Sequence, residues 1–418
     1  MTVPPQASLD RRLRPRPLPL HLASAIGLWW SCRAALTSSA ADWTPWNSEP
    51  GPLRDLVREI RRHGIERVGR VLDDRLNERA NTFLSGLEAY RAHPFRRDEP
   101  DVRVIWQQGG ARLLDYGRPG SGRNSRDVVL LIPSLINRYY ILDLLPERSF
   151  ARFLAEQGLR PLVLDWGEPG PTERAFGLDE YIADHLENAL TAAVGATGGA
   201  VAVAGYCMGG LLALALALRR PSDVRSLSLL ATPWHFHAER AEQARYLASL
   251  LQLLPLLAAE GDPLPVAVIQ GLFTALDPFL AERKFIRFAG LARDSEAARD
   301  FVALEDWIND GVPLARKVAL ECARSWYHDN DPGRGRWQIA GENIAPERLS
   351  MPALAVLPGR DRIVPPGSAS ALAAAIPGSH VMRPPLGHIG MMSSARAPEL
   401  VWRPLARWLA EAGRRFLL

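Results

Sequence analysis

The sequence is poor in cysteine, with only Cys32, Cys207 and Cys322 among 418 residues. So small and odd a number argues against a disulfide framework and favours a reducing compartment such as the cytoplasm. The excess of one charge is also small, because 50 Lys and Arg face 46 Asp and Glu for a formal charge of +4. Without a dense basic stripe, the composition gives no indication of nucleic-acid binding.

Long apolar runs are missing as well. The longest candidate, residues 18–30, is interrupted by Pro19, His21, Ser24 and Gly27. It is therefore too short for a transmembrane helix, and a secretory signal is the less favoured interpretation. Two alternatives stay open for this segment. It is either a partly amphipathic cover for the rest of the chain or an anchor on a lipid-like or polymer surface through Leu28-Trp29-Trp30.

Motifs for cofactors and metals are absent too. The sequence has no GxGxxG, P-loop or CxxC motif. His235 and His237 alternate with aromatic residues, but no cysteine or carboxylate stands at a metal-ligand spacing from them. We therefore expect neither a cofactor nor a metal, with both histidines as hydrogen-bonded structural residues and Cys322 as a core residue.

Apolar patterns divide the chain into four segments. Residues 1–98 have helical periodicity, and residues 99–233 alternate short apolar runs with helical stretches, which is typical of a parallel sheet covered on both faces. Residues 234–344 predict helices, as in a cap inserted above the strand ends, and strand patterns return in residues 345–418. The predicted strands are Val102–Trp106, Val128–Ile132, Pro161–Asp165, Ala200–Ala204, Leu227–Leu230, Ala353–Leu357 and, more weakly, Ser379–Arg383.

A glycine-rich turn carries the strongest chemical signal. The stretch Gly205-Tyr206-Cys207-Met208-Gly209-Gly210 follows a predicted strand and opens a predicted helix. This is the setting of a nucleophile elbow, G-x-nucleophile-x-G, in which side chains at the glycines would collide with neighbouring elements. Cys207 then lies at a helix N-terminus, where the helix dipole and free N–H groups favour a thiolate. Taken alone, the motif would also fit a buried structural cysteine.

Two later loops supply an acid and a base. Asp361 follows the returning strand and His388 follows the next one, so both lie at carboxyl ends of strands, where open α/β sheets bind ligands. The order nucleophile, acid, base predicts an α/β-hydrolase fold, a mostly parallel sheet flanked by helices with an inserted helical cap and a helical N-terminal segment. His388 would take the Cys207 proton or hold the thiolate as an ion pair, and Asp361 would orient His388.

The oxyanion formed by nucleophilic attack needs backbone donors. One is expected to be the N–H of Met208, directly after the nucleophile. The other is expected from the loop after an early strand, at Ile136 or Asn137, although the side chain of Asn137 could instead cap that loop. Asp165 leaves a similar choice between facing the site and capping its own loop, and the cap is favoured.

Further motifs occur before and after the elbow. They are LLIPSLINRYYILDL at 130–144, LDWGEP at 164–169, LDEYI at 178–182, FVALEDWI at 301–308 and GHIG at 387–390. From Val128 to the C-terminus, this set together with the GYCMGG box resembles the catalytic subunits of polyhydroxyalkanoate synthases. The resemblance is strongest to the short class that works with a second subunit.

The resemblance implies a transferase that polymerises 3-hydroxyacyl groups and releases coenzyme A. In that family the cysteine takes the acyl group from its coenzyme A thioester, and the histidine activates a chain-end hydroxyl, which assigns these roles to Cys207 and His388 with Asp361. The implied cofactor set is empty, since coenzyme A arrives as part of the substrate. The implied partners are 3-hydroxyacyl-CoA, the growing polyester or its granule surface, and a second synthase subunit or a second copy of the chain, in the cytoplasm or at the granule.

Two other functions stay open. A hydrolase, either a thioesterase or a polyester depolymerase, would use the same triad, because only the acceptor differs. A non-catalytic protein that binds a granule surface or a partner is disfavoured by the completeness of the triad.

Overall fold

The protein is described by a computed structural model that covers residues 15–42, 52–117, 127–239, 241–252 and 261–415. Within these residues the chain builds an eight-stranded sheet. Its strands are β1 Arg103–Gln108, β2 Ala111–Asp115, β3 Val128–Ile132, β4 Arg160–Asp165, β5 Val201–Tyr206, β6 Val224–Leu230, β7 Ala353–Val356 and β8 His380–Met382.

The strand order across the sheet is β1-β2-β4-β3-β5-β6-β7-β8. β2 is antiparallel to both of its neighbours, and all other neighbouring strands are parallel. The parallel strands therefore end on one edge of the sheet, and the loops that follow β3, β4, β5, β7 and β8 meet at that edge. This is the edge on which open α/β sheets carry their ligand sites.

Helices flank the sheet and explain why its central strands are apolar. Every residue of β3, β5 and β6 is buried, as expected for strands covered on both faces. The α-helices of this part of the chain are Phe150–Glu156, Leu178–Glu180, Glu187–Gly195, Met208–Arg219, Pro366–Ala375, Gly390–Ser393 and Arg403–Arg415, with π-helical turns at Tyr181–Leu186 and Pro398–Trp402. The predicted fold, a mostly parallel sheet flanked by helices, is confirmed.

A helical stretch separates β6 from β7. Its helices are Ala241–Gln252, Val266–Leu276, Leu280–Ala289, Glu296–Asn309, Arg316–Glu321 and the π-helical turn Cys322–His328. A short ribbon follows, in which Gln338–Ile339 pairs antiparallel with Glu342–Asn343. Between β3 and β4 along the chain, Asp143–Leu145 pairs antiparallel with Arg148–Ser149 in a second short ribbon.

The N-terminal residues form the helices Leu18–Asp42, Pro52–His63 and Ile65–Arg91. Two compact units can be distinguished in the chain: one combines the described part of Met1–Arg96 with Gln270–Asn309, and the other comprises Arg97–Ile269 and Asp310–Leu418. The first unit has its own core, formed by Ala25, Phe83, Leu87, Tyr90, Phe285, Phe288, Ala298 and Val302. The predicted boundaries at 98, 233 and 344 stay a prediction, and residues 1–14 and 43–51 lie outside the described residues.

One strand was missing from the sequence-based expectation. β2 is short and antiparallel, and it follows β1 through the two-residue turn Gly109-Gly110. Its apolar residues are Ala111, Leu113 and Leu114, interrupted by Arg112 and followed by Asp115, both of which are ion-paired. It therefore lacks the continuous apolar run that marks the parallel strands. Among the described helices, none is long and apolar enough to span a bilayer.

Candidate active site

Cys207 occupies the turn between β5 and the helix Met208–Arg219. Its backbone has φ 55° and ψ −125°, a conformation that residues other than glycine rarely adopt. The N–H of Cys207 donates to the carbonyl oxygen of Leu230 at 2.8 Å, which fixes the turn to the end of β6. The strained turn thus lifts the side chain out of the strand and places it at the helix N-terminus.

Close backbone approaches explain two of the glycines in this turn. A Cβ added to Gly209 would lie 2.2 Å from the carbonyl oxygen of Ile132, and one added to Gly205 would lie 2.4 Å from the carbonyl oxygen of Gly209. Neither backbone neighbour can retreat without moving a strand end or the helix start. The glycines therefore let the helix begin directly against the loop that follows β3.

His388 and Asp361 form a buried hydrogen-bonded pair. The Nδ1–H of His388 donates to Oδ2 of Asp361 at 2.7 Å, with the two residues 6% and 8% exposed. The other oxygen, Oδ1, accepts the N–H groups of Ile363 and Val364 at 2.8 and 2.9 Å. The carboxylate is thus held by its own loop, so its second oxygen has a fixed direction toward the imidazole.

The pKa of His388 links it to the cysteine. Burial by itself would lower this pKa, but the negative charge of the Cys207 thiolate, the hydrogen bonds with Asp361 and Cys207 and the charge of Asp361 raise it to about 10. An imidazole with so high a pKa keeps both of its protons at neutral pH. Charge coupling of this kind agrees with the predicted thiolate–imidazolium pair, in which Asp361 orients the imidazole, and those roles stay a prediction.

Tyr206 and Tyr327 belong to the surroundings of the pair, and sequence reasoning missed both. The Tyr206 ring lies 5.2 Å from the His388 ring, and its hydroxyl donates to the His388 carbonyl oxygen at 3.2 Å. Burial, together with the charges of Cys207 and Asp361, raises the pKa of Tyr206. Burial and the charges of Cys207 and Cys322 raise the pKa of Tyr327 in the same way. Tyr206 could have been suspected from its place inside the elbow, whereas no spacing points to Tyr327.

The expected oxyanion donors differ in how their N–H groups are used. Met208 is the first residue of its helix, so its N–H has no partner inside that helix. The N–H of Ile136 donates to the hydroxyl of Ser134 at 3.2 Å. Within the described part of the chain, the N–H of Asn137 donates to no acceptor, and its buried Oδ1 has no partner. The Ser134 hydroxyl therefore caps this loop, and the Oδ1 of Asn137 does not.

Other residues singled out from the sequence have structural partners. Nε2 of His237 donates to the carbonyl oxygen of Tyr327 at 2.8 Å, and Nδ1 of His235 lies 3.4 Å from the amide nitrogen of Asn330. Asp165 accepts the N–H of Gly167 at 3.1 Å, as a loop cap does. Cys322 is buried. Within the described ranges, no group of His, Cys, Asp or Glu side chains could hold a metal ion.

Comparison with known proteins agrees with this architecture. Residues 127–395, more than half of the chain, match the model of the alpha/beta hydrolase fold. The poly(3-hydroxyalkanoate) polymerase subunit PhaC of Haloferax mediterranei is 27% identical over 315 residues, covering 74% of this chain and 63% of that relative. The subunit of the same name from Thiocystis violacea is 26% identical over 357 residues, covering 82% of this chain and 98% of that relative.

Among solved structures, the alpha/beta hydrolase fold protein from Nakamurella multipartita has a TM-score of 0.44 and 20% sequence identity, covering 75% of this chain and 100% of that chain. The family model places the chain in the α/β-hydrolase fold family, and its sequence is similar to the poly(3-hydroxyalkanoate) polymerase subunits. The family resemblance inferred from the motifs is confirmed. Assignment to the two-subunit class stays a prediction, as do the individual roles of the triad residues.

Proposed function

We propose that this chain is an acyltransferase that polymerises 3-hydroxyacyl groups delivered as coenzyme A thioesters. The observation that carries the proposal is the pairing of Cys207, at a nucleophile elbow, with the buried His388–Asp361 pair. It is supported by the similarity to polymerase subunits, which extends over 74% and 82% of the chain for the two relatives above. The relatives are named as subunits, which supports a further proposal that this chain works with a second subunit.

The first half-reaction loads the cysteine. The Cys207 thiolate attacks the thioester carbonyl, and a new carbon–sulfur bond forms as the carbonyl oxygen becomes an oxyanion. The N–H of Met208 and an N–H from Ile136 or Asn137 stabilise that oxyanion. When the tetrahedral intermediate collapses, the bond to coenzyme A breaks, and the imidazolium of His388 supplies the proton that leaves with the coenzyme A thiol.

The second half-reaction transfers the acyl group. His388, now neutral, removes the proton from the hydroxyl of a 3-hydroxyacyl chain end as its oxygen attacks the Cys207 thioester. An ester bond forms, and the thiolate leaves with the imidazolium restored beside it. Asp361 keeps the imidazole oriented and stabilises its charge throughout. Coenzyme A enters only as part of the substrate, so the cycle needs no separate cofactor.

The product assay separates the proposed polymerase from a hydrolase. We expect the protein purified from its native cells, with whatever subunit accompanies it, to release coenzyme A from 3-hydroxybutyryl-CoA and to form sedimentable polyester. Soluble 3-hydroxybutyrate in place of polymer would instead identify a thioesterase, in which water replaces the chain-end hydroxyl. If the folded protein releases no coenzyme A, both the polymerase and the thioesterase functions are contradicted.

The cysteine can be tested in the same assay. We expect Cys207→Ser to lower coenzyme A release by on the order of 100-fold or more, because a serine hydroxyl does not form the anion that a thiol does near neutral pH. The matched control is Cys32→Ser, since Cys32 is an exposed cysteine. Equal activity of Cys207→Ser and the control would exclude the thiolate as the attacking group.

A further inference from the structure

The loop that follows β3 is held by a residue that is distant from it in sequence. Asp310 directly follows the helix Glu296–Asn309. Its Oδ2 accepts the hydroxyl of Tyr140 at 2.9 Å, and its Oδ1 lies 3.5 Å from Nε of Arg138. Each carboxylate oxygen thus takes one side chain of the loop, so Asp310 fixes two points directly after Asn137.

The backbone beside Asp310 pairs with the same loop. The N–H of Val312 donates to the carbonyl oxygen of Ile136 at 3.0 Å, and Asn137 faces Gly311 in an antiparallel bridge. The hydrogen bond joins the flanking residues Val312 and Ile136, so Asn137 and Gly311 take the positions of a non-hydrogen-bonded pair, in which the N–H of Asn137 points away from Gly311. Asp310 therefore directly precedes the segment, Gly311 and Val312, whose pairing with Ile136 and Asn137 orients the candidate oxyanion donors.

Other contacts fix the remaining sides of the loop but do not replace Asp310. Arg138 also forms an ion pair with Glu168, and the Trp166 indole N–H donates to the carbonyl oxygen of Pro133 at 3.1 Å. The Arg97 guanidinium lies 4.4 Å from the Tyr140 ring centroid. The side chain of Asn137 contributes no such restraint, since its Oδ1 has no partner within the described part of the chain.

We propose that Asp310 is a positioning residue for acyl transfer: by holding Arg138 and Tyr140, it aims the backbone N–H of Ile136 or Asn137 at the developing oxyanion. The inference rests on the proposed function only in requiring that an acyl carbonyl is attacked by Cys207. Asp310 acts through the loop, because its carboxylate is bound by Tyr140 and Arg138. Its removal relaxes the loop, which weakens stabilisation of the transition state and leaves ground-state binding largely unchanged.

The test compares two reactions of the same cysteine. Acylation by p-nitrophenyl butyrate passes through an oxyanion, whereas alkylation by iodoacetamide does not. For Asp310→Ala we expect the acylation rate constant, followed as the burst of p-nitrophenol, to fall about 10- to 100-fold, because a misplaced oxyanion donor costs on this order. We expect KM to stay within about twofold and the alkylation rate to equal that of the unchanged protein.

Three variants complete the experiment. Asp310→Asn keeps an acceptor for Tyr140 and is expected to retain most of the acylation rate, while Tyr140→Phe is expected to show part of the loss. Asp223→Asn is the matched control, because Asp223 is a partly exposed acid paired with Arg220 at 2.6 Å in the same compact unit. It is expected to change neither reaction.

Two results would overturn the inference. One is an Asp310→Ala acylation rate equal to that of Asp223→Asn, and the other is a parallel fall of acylation and alkylation, as a general loss of folding would produce. Complete absence of a p-nitrophenol burst in the unchanged protein would also contradict the inference. Failure of the polymer assay beside an intact burst would contradict the proposed polymerase alone, since the ester probe does not depend on the natural substrate.

Discussion

At the scale of single residues, His388 links the candidate site to folding stability. Its pKa is raised to about 10 because the charges and hydrogen bonds of Cys207 and Asp361 outweigh the effect of burial. Because the pKa of His388 is raised above its ordinary value of 6.5 in the folded protein, the proton on its imidazole stabilises the folded state. The pH dependence of folding stability therefore reports on the pair without any substrate.

We expect the stability that His388 contributes to disappear at high pH. Its pKa is raised from 6.5 in the folded protein, so the contribution is fully present below about 6.5 and is lost as pH rises through about 10. The difference in unfolding free energy between the unchanged protein and His388→Asn should therefore shrink across this window. Urea denaturation at about pH 6, 8 and 10 measures it.

The control for this prediction is His380→Asn, since His380 lies exposed on β8. Its difference from the unchanged protein should stay flat over the same range. A difference for His388→Asn that is equally flat would show that the histidine is not held as a cation in the folded state.

At the scale of elements, the elbow depends on how closely a helix start approaches a strand end. We expect Gly209→Ala to lower the free energy of unfolding by more than about 3 kcal/mol, because its Cβ would lie 2.2 Å from the backbone oxygen of Ile132. Gly199→Ala is the matched control: a Cβ there meets no atom within 4 Å. It should change stability by no more than about 0.5 kcal/mol in urea denaturation. Similar losses for the two variants would contradict the close-approach explanation.

The elements also differ in how well the sequence predicts them. β3 was predicted with its observed bounds, because five consecutive apolar residues between polar segments leave little choice. β2 was missed because Arg112 and Asp115 interrupt its apolar pattern, and their suitability for a strand depends on ion pairs made with Asp165 and Arg160. The π-helical turns of the described residues were not predicted either, because a single extra residue per turn leaves the apolar spacing of a helix almost unchanged.

At the scale of the whole molecule, distant segments are joined by a few large side chains. Trp402, 2% exposed, packs its ring 5.9 Å from that of Phe150 and 5.6 Å from that of Phe153, and its indole N–H donates to the carbonyl oxygen of Met391 at 3.0 Å. Residues near the C-terminus are thereby packed against the helix that precedes β4. Removal of this ring therefore tests how much the turn Pro398–Trp402 contributes to the free energy of unfolding.

We expect Trp402→Ala to lower the free energy of unfolding by about 3–5 kcal/mol, because a large buried ring leaves a cavity that the surroundings fill only in part. Trp402→Phe should cost less, since it keeps most of the ring contacts and loses the hydrogen bond. The matched control is Trp30→Ala at a tryptophan that is 77% exposed. Denaturation curves in which Trp402→Ala and Trp30→Ala coincide would show that the C-terminal segment adds little to the core.

The candidate site was predictable only where its chemistry follows the order of the fold. Cys207, Asp361 and His388 each follow a strand in the parallel part of the sheet, and strands of one direction bring such positions to one edge. Asp310 follows no strand and lies 170 residues from Tyr140 along the chain. Its part in the site depends on a distance between two irregular segments, and no periodicity or spacing encodes that distance.

The backbone angle at Cys207 also limits how this protein could have diversified. With φ at 55°, a branched Cβ would press a second substituent against the neighbouring peptide, so threonine is unsuited to the position. Serine has the same unbranched shape as cysteine and fits the turn without rearrangement. Exchange of sulfur for oxygen is therefore the sterically open evolutionary route between thiol and alcohol chemistry at this turn, and it changes the reactivity of the nucleophile while leaving the scaffold intact.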